Sequence, residues 1–128
     1  MTRALVRSSV SALGETVHVR LVASRAEVAQ RFAVRWGTAC SRNEQMYGLF
    51  DYYRHGALGE IVLNTTDLNI DVVAHECFHA ALHAERRGGR GNVIEDEKAE
   101  ERVAWLTGML TRAVVKLLAR RGHPCASA

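Results

Sequence analysis

The sequence predicts an α+β domain in which helices pack on a small mixed sheet. Residues 16–22 alternate apolar and polar, two more short strand patterns flank a turn in residues 46–64, and residues 70–87 and 93–120 carry apolar residues at helical spacing. The chain has 128 residues, of which 48% are hydrophobic. A chain of this size buries a core of its own. We therefore expect one domain over residues 1–128, with its core in about residues 15–120.

Composition argues against several classes of protein. Charged residues make up 24% of the chain, and no apolar run approaches the roughly 18 residues of a membrane span. The first 14 residues lack the apolar stretch of a secretory signal. The three cysteines are far apart and form no disulfide framework, which favours a reducing, cytoplasmic compartment. A net charge of +3 does not by itself imply a nucleic-acid partner, and no membrane partner is expected.

The first elements are a strand and a helix. Thr16–Val22 has β-branched residues on one face and predicts a half-buried strand. Ser24 and Glu27 then form a capping box, in which each side chain satisfies a free amide at the start of a helix. That helix carries an apolar stripe and ends at Gly37, the stripe being Val28, Phe32 and Trp36.

A hairpin and two helices follow. Met46–Tyr53 and Glu60–Asn64 are strand patterns joined by turn residues. A helix is predicted from about Ile70 to Arg87, where a glycine-rich stretch ends it. The last helical pattern covers Val93–Arg120, and Pro124 prevents its continuation. Its apolar positions recur every three or four residues, at Ala99, Val103, Leu106, Leu110, Ala113 and Leu117.

The motif that indicates chemistry is HExxH, at residues 75–79 of the first long helix. Residues four apart lie on one helix face, so His75 and His79 can bind one Zn²⁺ together. Glu76 lies about 100° around the helix from His75, where it can act as general base on a water that the zinc activates. The alternative is that the two histidines are four residues apart by chance.

A catalytic zinc needs a third protein ligand, and the acidic start of the last helix is the source that the sequence offers. Glu97 lies on a stripe of small residues that would let the helices approach closely, and this favours Glu97 as the third ligand. Glu101, one turn on, is placed to accept a hydrogen bond from a ligand imidazole. Glu100 and Glu101 remain alternatives for the ligand itself. The helix dipole alone would also favour acids here.

Residues 59–108 resemble the small gluzincin metallopeptidases, which include the minigluzincins and the phage- and mobile-element-associated ImmA/IrrE-type peptidases. Those families share a strand, an HExxH helix, and a downstream helix with a Glu-xxx-(Asp/Asn)-x-apolar-small stretch. Glu97, Glu101, Val103 and Ala104 match that stretch in order, although Glu101 replaces a shorter Asp or Asn and Glu100 replaces a small residue.

The resemblance implies a minimal zincin-like fold, in which the Glu-bearing helix packs on the HExxH helix. It also implies that the strand before the active-site helix is an edge that pairs with an extended peptide. That strand is Glu60, Ile61, Val62, Leu63 and Asn64. The alternative is that these residues form an ordinary strand of the sheet. A peptide or protein is then the substrate.

The function expected from these observations is a zinc-dependent metallopeptidase, a hydrolase with Zn²⁺ held by His75, His79 and Glu97. A chain of this size has no evident second lobe that would enclose a cleft. The enzyme would therefore cleave only a few substrates, need a protein partner or form an oligomer, or be latent. The first alternative is a catalytically silent zincin-shaped binding or regulatory protein. The second is a small basic nucleic-acid-binding protein in which the HExxH motif is accidental.

Overall fold

The computed structural model describes residues 7–37, 47–88 and 96–125. Within them it has four strands, β1 (Ser8–Ala12), β2 (Glu15–Val22), β3 (Gly48–Tyr52) and β4 (Gly59–Asn64), and three helices, α1 (Arg25–Trp36), α2 (Ile70–Gly88) and α3 (Glu97–Arg120). The α+β class and the small mixed sheet are confirmed. Strand β1 was not expected. None of these helices has the combination of length and apolarity that a bilayer crossing requires.

The sheet has the order β1-β2-β4-β3. β2 and β4 are parallel, whereas β1 and β3 run antiparallel to their neighbours. A parallel pair needs a crossover connection, and α1 lies within it. The predicted capping box starts this helix, since the Ser24 hydroxyl accepts from the Glu27 amide at 3.2 Å and Glu27 reaches back to the amide of Ala23. Gly37 ends α1 in the left-handed conformation.

The position of β4 corrects one expectation from the sequence. Glu60–Asn64 was expected to be a free edge, but β4 pairs with β2 on one side and with β3 on the other. All six of its residues are buried. Because its backbone groups are already paired with two strands, β4 cannot accept a peptide as a further strand. In the described residues, the edge strand next to β4 is β3.

Helices α2 and α3 form an antiparallel pair on one face of the sheet, and the core lies between them and that face. Two side-chain contacts give their register. Arg102 donates to both carboxylate oxygens of the buried Glu85, and Thr111 lies beside the Cys77 thiol. The start of α3 therefore lies beside the end of α2.

Leu110 and Met109 offer a matched test of this core. Leu110 is fully buried, whereas the next residue, Met109, is 37% exposed. Replacing Leu110 with Ala should lower the free energy of unfolding by about 3 kcal/mol, because it removes buried methyl groups and leaves a cavity. Met109→Ala should cost less than about 1 kcal/mol. Urea unfolding of both variants measures the difference, and equal losses would contradict the described face of α3.

Candidate metal centre

The geometry of α2 brings the HExxH side chains together. The helix starts where the side-chain oxygen of Asn69 accepts from the amide of Val72 at 3.0 Å. Two turns later, His75 and His79 face solvent from the same side, with their Nε2 atoms 3.1 Å apart. One ligand atom from each of His75, Glu76 and His79 lies within 4.8 Å of the others. These three are the potential metal ligands that the described part of the chain brings together.

The spacing of the two imidazoles fits a shared metal ion. In a tetrahedral site with Zn–N bonds of about 2.0–2.1 Å, two ligand nitrogens lie roughly 3.3 Å apart, close to the distance between these Nε2 atoms. Burial lowers the pKa of His79, and the charges of His75 and Arg86 lower it further. The neutral imidazole is the form that binds a metal, so this shift favours binding.

Glu76 lies between α2 and β3, where it is only 6% exposed. Burial raises the pKa of its carboxyl group to about 7. The strand passes this close because residue 48 is glycine: a Cβ there would lie 3.2 Å from Glu76 Cγ and 3.3 Å from Glu76 Oε2. Gly48 is a site residue that the sequence analysis missed, although a glycine inside a strand pattern signals a close approach.

The raised pKa of Glu76 has a consequence for stability in metal-free protein. Between its ordinary value of 4.5 and about 7, the folded state binds more protons than the unfolded state. The contribution of Glu76 to the free energy of unfolding should therefore fall as the pH rises through this window, whereas the lowered pKa of His79 contributes with the opposite sign. Glu76→Gln should remove the fall. Urea unfolding of both proteins at pH 4.5 and pH 8 tests this, and identical pH profiles would show that Glu76 has no such shift.

An open pocket of about 610 Å³ surrounds the three side chains. It runs between α2 and the edge strand β3, and Phe32 of α1 is also among its lining residues. Two side chains of β3, Phe50 and Tyr52, line its wall. The third histidine of α2, His83, also borders the pocket, but its Nε2 donates to the carbonyl of Tyr53 at 2.7 Å. His83 therefore holds the end of β3 and is not part of the His75–Glu76–His79 group.

No strand among the described residues pairs with the outer edge of β3. Its hydrogen bonds with β4 come from odd-numbered positions, since the Tyr53 amide donates to Leu58 and the Tyr47 carbonyl accepts from Asn64. In an antiparallel pair the intervening residues turn their backbone groups the other way. Gly48, Phe50 and Tyr52 therefore direct N–H and C=O groups toward the free edge, beside the pocket. The Tyr52 carbonyl also accepts from Arg35, at 3.4 Å.

The structure does not bring Glu97, Glu100 or Glu101 to the histidines. All three are exposed near the start of α3. Thr111 is level with Cys77, so the part of α3 beside the histidines begins near Gly108, about three turns beyond Glu97. Glu101 instead borders a different pocket, with Trp105 and Glu85.

Glu97 lies away from the histidines because the stripe of small residues on α3 does not face α2. Ala104 and Gly108, which were expected to face α2, are exposed. The buried stripe of α3 is the apolar one, which includes Ala99, Val103, Leu106 and Leu110. Burial of the larger apolar side chains thus decides the orientation of α3.

Comparisons of the chain with family models, with curated proteins and with solved structures give no match. The interpretation of the centre therefore depends on its geometry. Helix α2 presents His75, His79 and the buried carboxyl group of Glu76 to an open pocket. This pocket lies beside β3, the edge strand of the sheet.

Proposed function

We propose that the chain is a zinc-dependent metallopeptidase of minimal zincin-like form. One observation carries the proposal: His75, Glu76 and His79 converge within 4.8 Å in a pocket beneath an open edge strand. Two metal ligands, an acid–base group and a surface for an extended backbone are thus found together. Peptide hydrolysis at a zinc ion uses all of these parts.

In this proposal, His75 and His79 hold the ion through their Nε2 atoms. The spacing of 3.1 Å between those atoms supports the assignment. A zinc ion, when bound, polarises a carbonyl and lowers the pKa of water. Both imidazoles face the pocket and not the core, so substrate can reach the ion.

Glu76 is the proposed general base. It accepts the proton of the attacking water and passes it to the departing amine. Its position supports this role, because the carboxyl group lies beside the two imidazoles while β3 and the core shield it from solvent. Gly48 leaves the room that the carboxyl group occupies.

The proposed substrate is an extended peptide that adds to β3 as an antiparallel strand. The backbone groups of Gly48 and Phe50 would pair with it, as in other cases of β-augmentation, whereas the Tyr52 carbonyl already accepts from Arg35. Substrate side chains opposite these residues would project toward the metal pocket. This assignment replaces β4, whose backbone is already paired on both sides.

The experiment that tests the proposal is cleavage of a quenched fluorescent peptide library by the purified full chain. Cleavage should require zinc, stop when 1,10-phenanthroline is added, and return when zinc is restored in excess. Cleavage that persists in the chelator would exclude the proposed chemistry. A chain that binds about one zinc but cleaves nothing would be a metal-binding protein without this activity.

A second candidate is a zincin-shaped binding or regulatory protein that is silent or latent. It is favoured by one observation: among the described residues, no carboxylate of α3 joins the two histidines. Single replacements of Glu97, Glu100 and Glu101 with Ala discriminate between the two. If one of them is a ligand in the active protein, its removal should lower zinc affinity more than the roughly 10–100-fold that loss of an outer hydrogen-bond partner costs. Unchanged affinity in all three would leave α3 without a ligand and favour this second candidate.

A further inference from the structure

A second pocket, which we call the arginine pocket, lies on the face of the sheet opposite to α2. On β4, Glu60 and Val62 border this pocket, whereas Ile61 and Leu63 belong to the core on the other face. Residues of β2, β3 and α1 complete the lining, together with the residue before β1. The volume is about 400 Å³. The charged side chains of the pocket are those of Arg7, Arg20, Arg31, Arg35, Asp51 and Glu60.

A buried carboxylate, Glu60, holds two of these arginines. Glu60 is only 4% exposed, and its Oε1 atom accepts from Arg20 at 3.0 Å and from Arg31 at 2.9 Å. Burial acts to raise the pKa of Glu60, but the hydrogen bonds from the two arginines outweigh it and the pKa lies below its ordinary value. Glu60 therefore stays ionised at neutral pH and keeps the guanidinium groups of β2 and α1 close together.

Arg7 adds a third positive charge beside this pair. Strands β1 and β2 are antiparallel with Ser8 opposite Val19, so the register brings Arg7, the residue before Ser8, opposite Arg20. Like charges that lie opposite each other on neighbouring strands are destabilising. The charge of Arg7 also contributes, second to burial, to the lowered pKa of His18. A bound anion would offset this repulsion.

The charge balance of the arginine pocket indicates what kind of anion fits. Four arginines and two carboxylates line it, with Asp51 paired to Arg35 and Glu60 shared by Arg20 and Arg31. The lining residues thus have an excess of two positive charges. A phosphate monoester carries about −1.5 to −2 charges at pH 7 and offers three acceptor oxygens. A guanidinium has five N–H donors, so Arg20 and Arg31 retain donors beyond the one that each gives to Glu60.

The arginine pocket also offers surface for the organic part of a ligand. Apolar and aromatic side chains line it beside the arginines, namely those of Val34, Leu49, Tyr53 and Val62. Val34 is 76% exposed, so its methyl groups are accessible. The volume lies in the range of about 300–1,000 Å³ that is usual for small-molecule sites. A concave pocket of this size favours a small molecule over a nucleic acid, which binds along an extended basic patch or stripe.

We propose that the arginine pocket binds a small phosphate monoester, with Arg7, Arg20 and Arg31 donating to the phosphate oxygens. The planar fork of an arginine side chain matches a phosphate group with two hydrogen bonds. The site goes beyond the proposed function and does not depend on it. Among the described residues, the arginine pocket and the metal pocket share Leu49 but no charged side chain.

Isothermal titration of the full chain with phenyl phosphate tests the site, in EDTA so that the ligand cannot bind a metal ion instead. Phenyl phosphate should bind about tenfold more tightly than inorganic phosphate, because its ring buries apolar surface in the pocket. Phenyl sulfate has the same shape but one charge fewer. It should bind about tenfold more weakly than phenyl phosphate, because the charge-assisted hydrogen bonds are weaker.

Two variants locate the binding. Arg7→Gln and Arg31→Gln should each weaken the binding of phenyl phosphate by about tenfold. Arg112→Gln, which changes an exposed arginine of α3 outside the pocket, should leave the affinity intact. Arg7 makes no hydrogen bond to any group that the structure describes, so Arg7→Gln carries the test if Arg31→Gln does not fold.

Several outcomes would overturn the site. They are no saturable binding of phenyl phosphate, equal affinity for phenyl sulfate or for inorganic phosphate, an affinity unchanged in both pocket variants, or tighter binding of a duplex DNA oligonucleotide that depends on the same arginines. Failure of the proposed function is a different result, since the titration is made without zinc. A chain that cleaves no peptide can still bind phenyl phosphate through Arg7 and Arg31.

Discussion

Replacing Glu76 with Gln should abolish peptide hydrolysis while zinc remains bound. Gln matches Glu in shape and keeps a hydrogen-bonding side chain beneath β3, but it cannot take a proton from water. A positioned acid–base group contributes about 10²–10⁴-fold to a rate, so kcat should fall by at least that factor. The measurements are kcat for a cleaved library peptide and the zinc content of the same preparation.

Asp71→Asn is the matched control for this substitution. It also changes an acid to its amide on α2, but Asp71 is exposed in the first turn and does not line the metal pocket. It should keep wild-type turnover. Undiminished hydrolysis in Glu76→Gln would refute Glu76 as the base. Loss of zinc together with activity would show that the carboxylate acts as a ligand instead.

Replacing His75 with Ala should remove the zinc. The substitution deletes one of the two imidazoles whose Nε2 atoms lie 3.1 Å apart. Loss of a direct ligand should cost more than the roughly 10–100-fold in affinity that loss of an outer partner costs. Metal analysis of purified protein should fall from about one zinc per chain to a trace, which is the expected behaviour of a single site.

His83→Ala is the control on the same helix. The His83 ring donates to the Tyr53 carbonyl and lies outside the His75–Glu76–His79 group, so its removal should leave the zinc content unchanged. A His75→Ala protein that retains a full equivalent of zinc would place the metal elsewhere on the chain.

The features predicted correctly from the sequence are those that depend on local geometry. The convergence of His75 and His79 follows from the repeat of one helix, and Ser24 and Gly37 bound α1 by chemistry within a few residues. The hairpin of β3 and β4 also joins neighbours in the chain. Strand β1 was missed because only one of its five residues, Val10, is buried, so its pattern is weak.

The incorrect expectations concern contacts between distant segments. Whether Glu60–Asn64 is an edge depends on the crossover that returns the chain beside β2, and no residue within β4 reveals it. The orientation of α3 required a choice between two stripes on one helix. A ligand at Glu97 requires the stripe through Ala104 to face α2, whereas the stripe through Val103 and Leu110 buries more apolar surface and packs inward.

The close approach of β3 to Glu76 limits which residues around the metal pocket can be changed. A methyl group at position 48 would press on both the Glu76 side chain and the carbonyl oxygen of Val62, so this position should be left unchanged in any library. Phe50 and Tyr52 are partly exposed and line the metal pocket, which makes them the positions to randomise. Libraries that vary Phe50 and Tyr52 should change which peptides are preferred and leave the Glu76 carboxyl group in place.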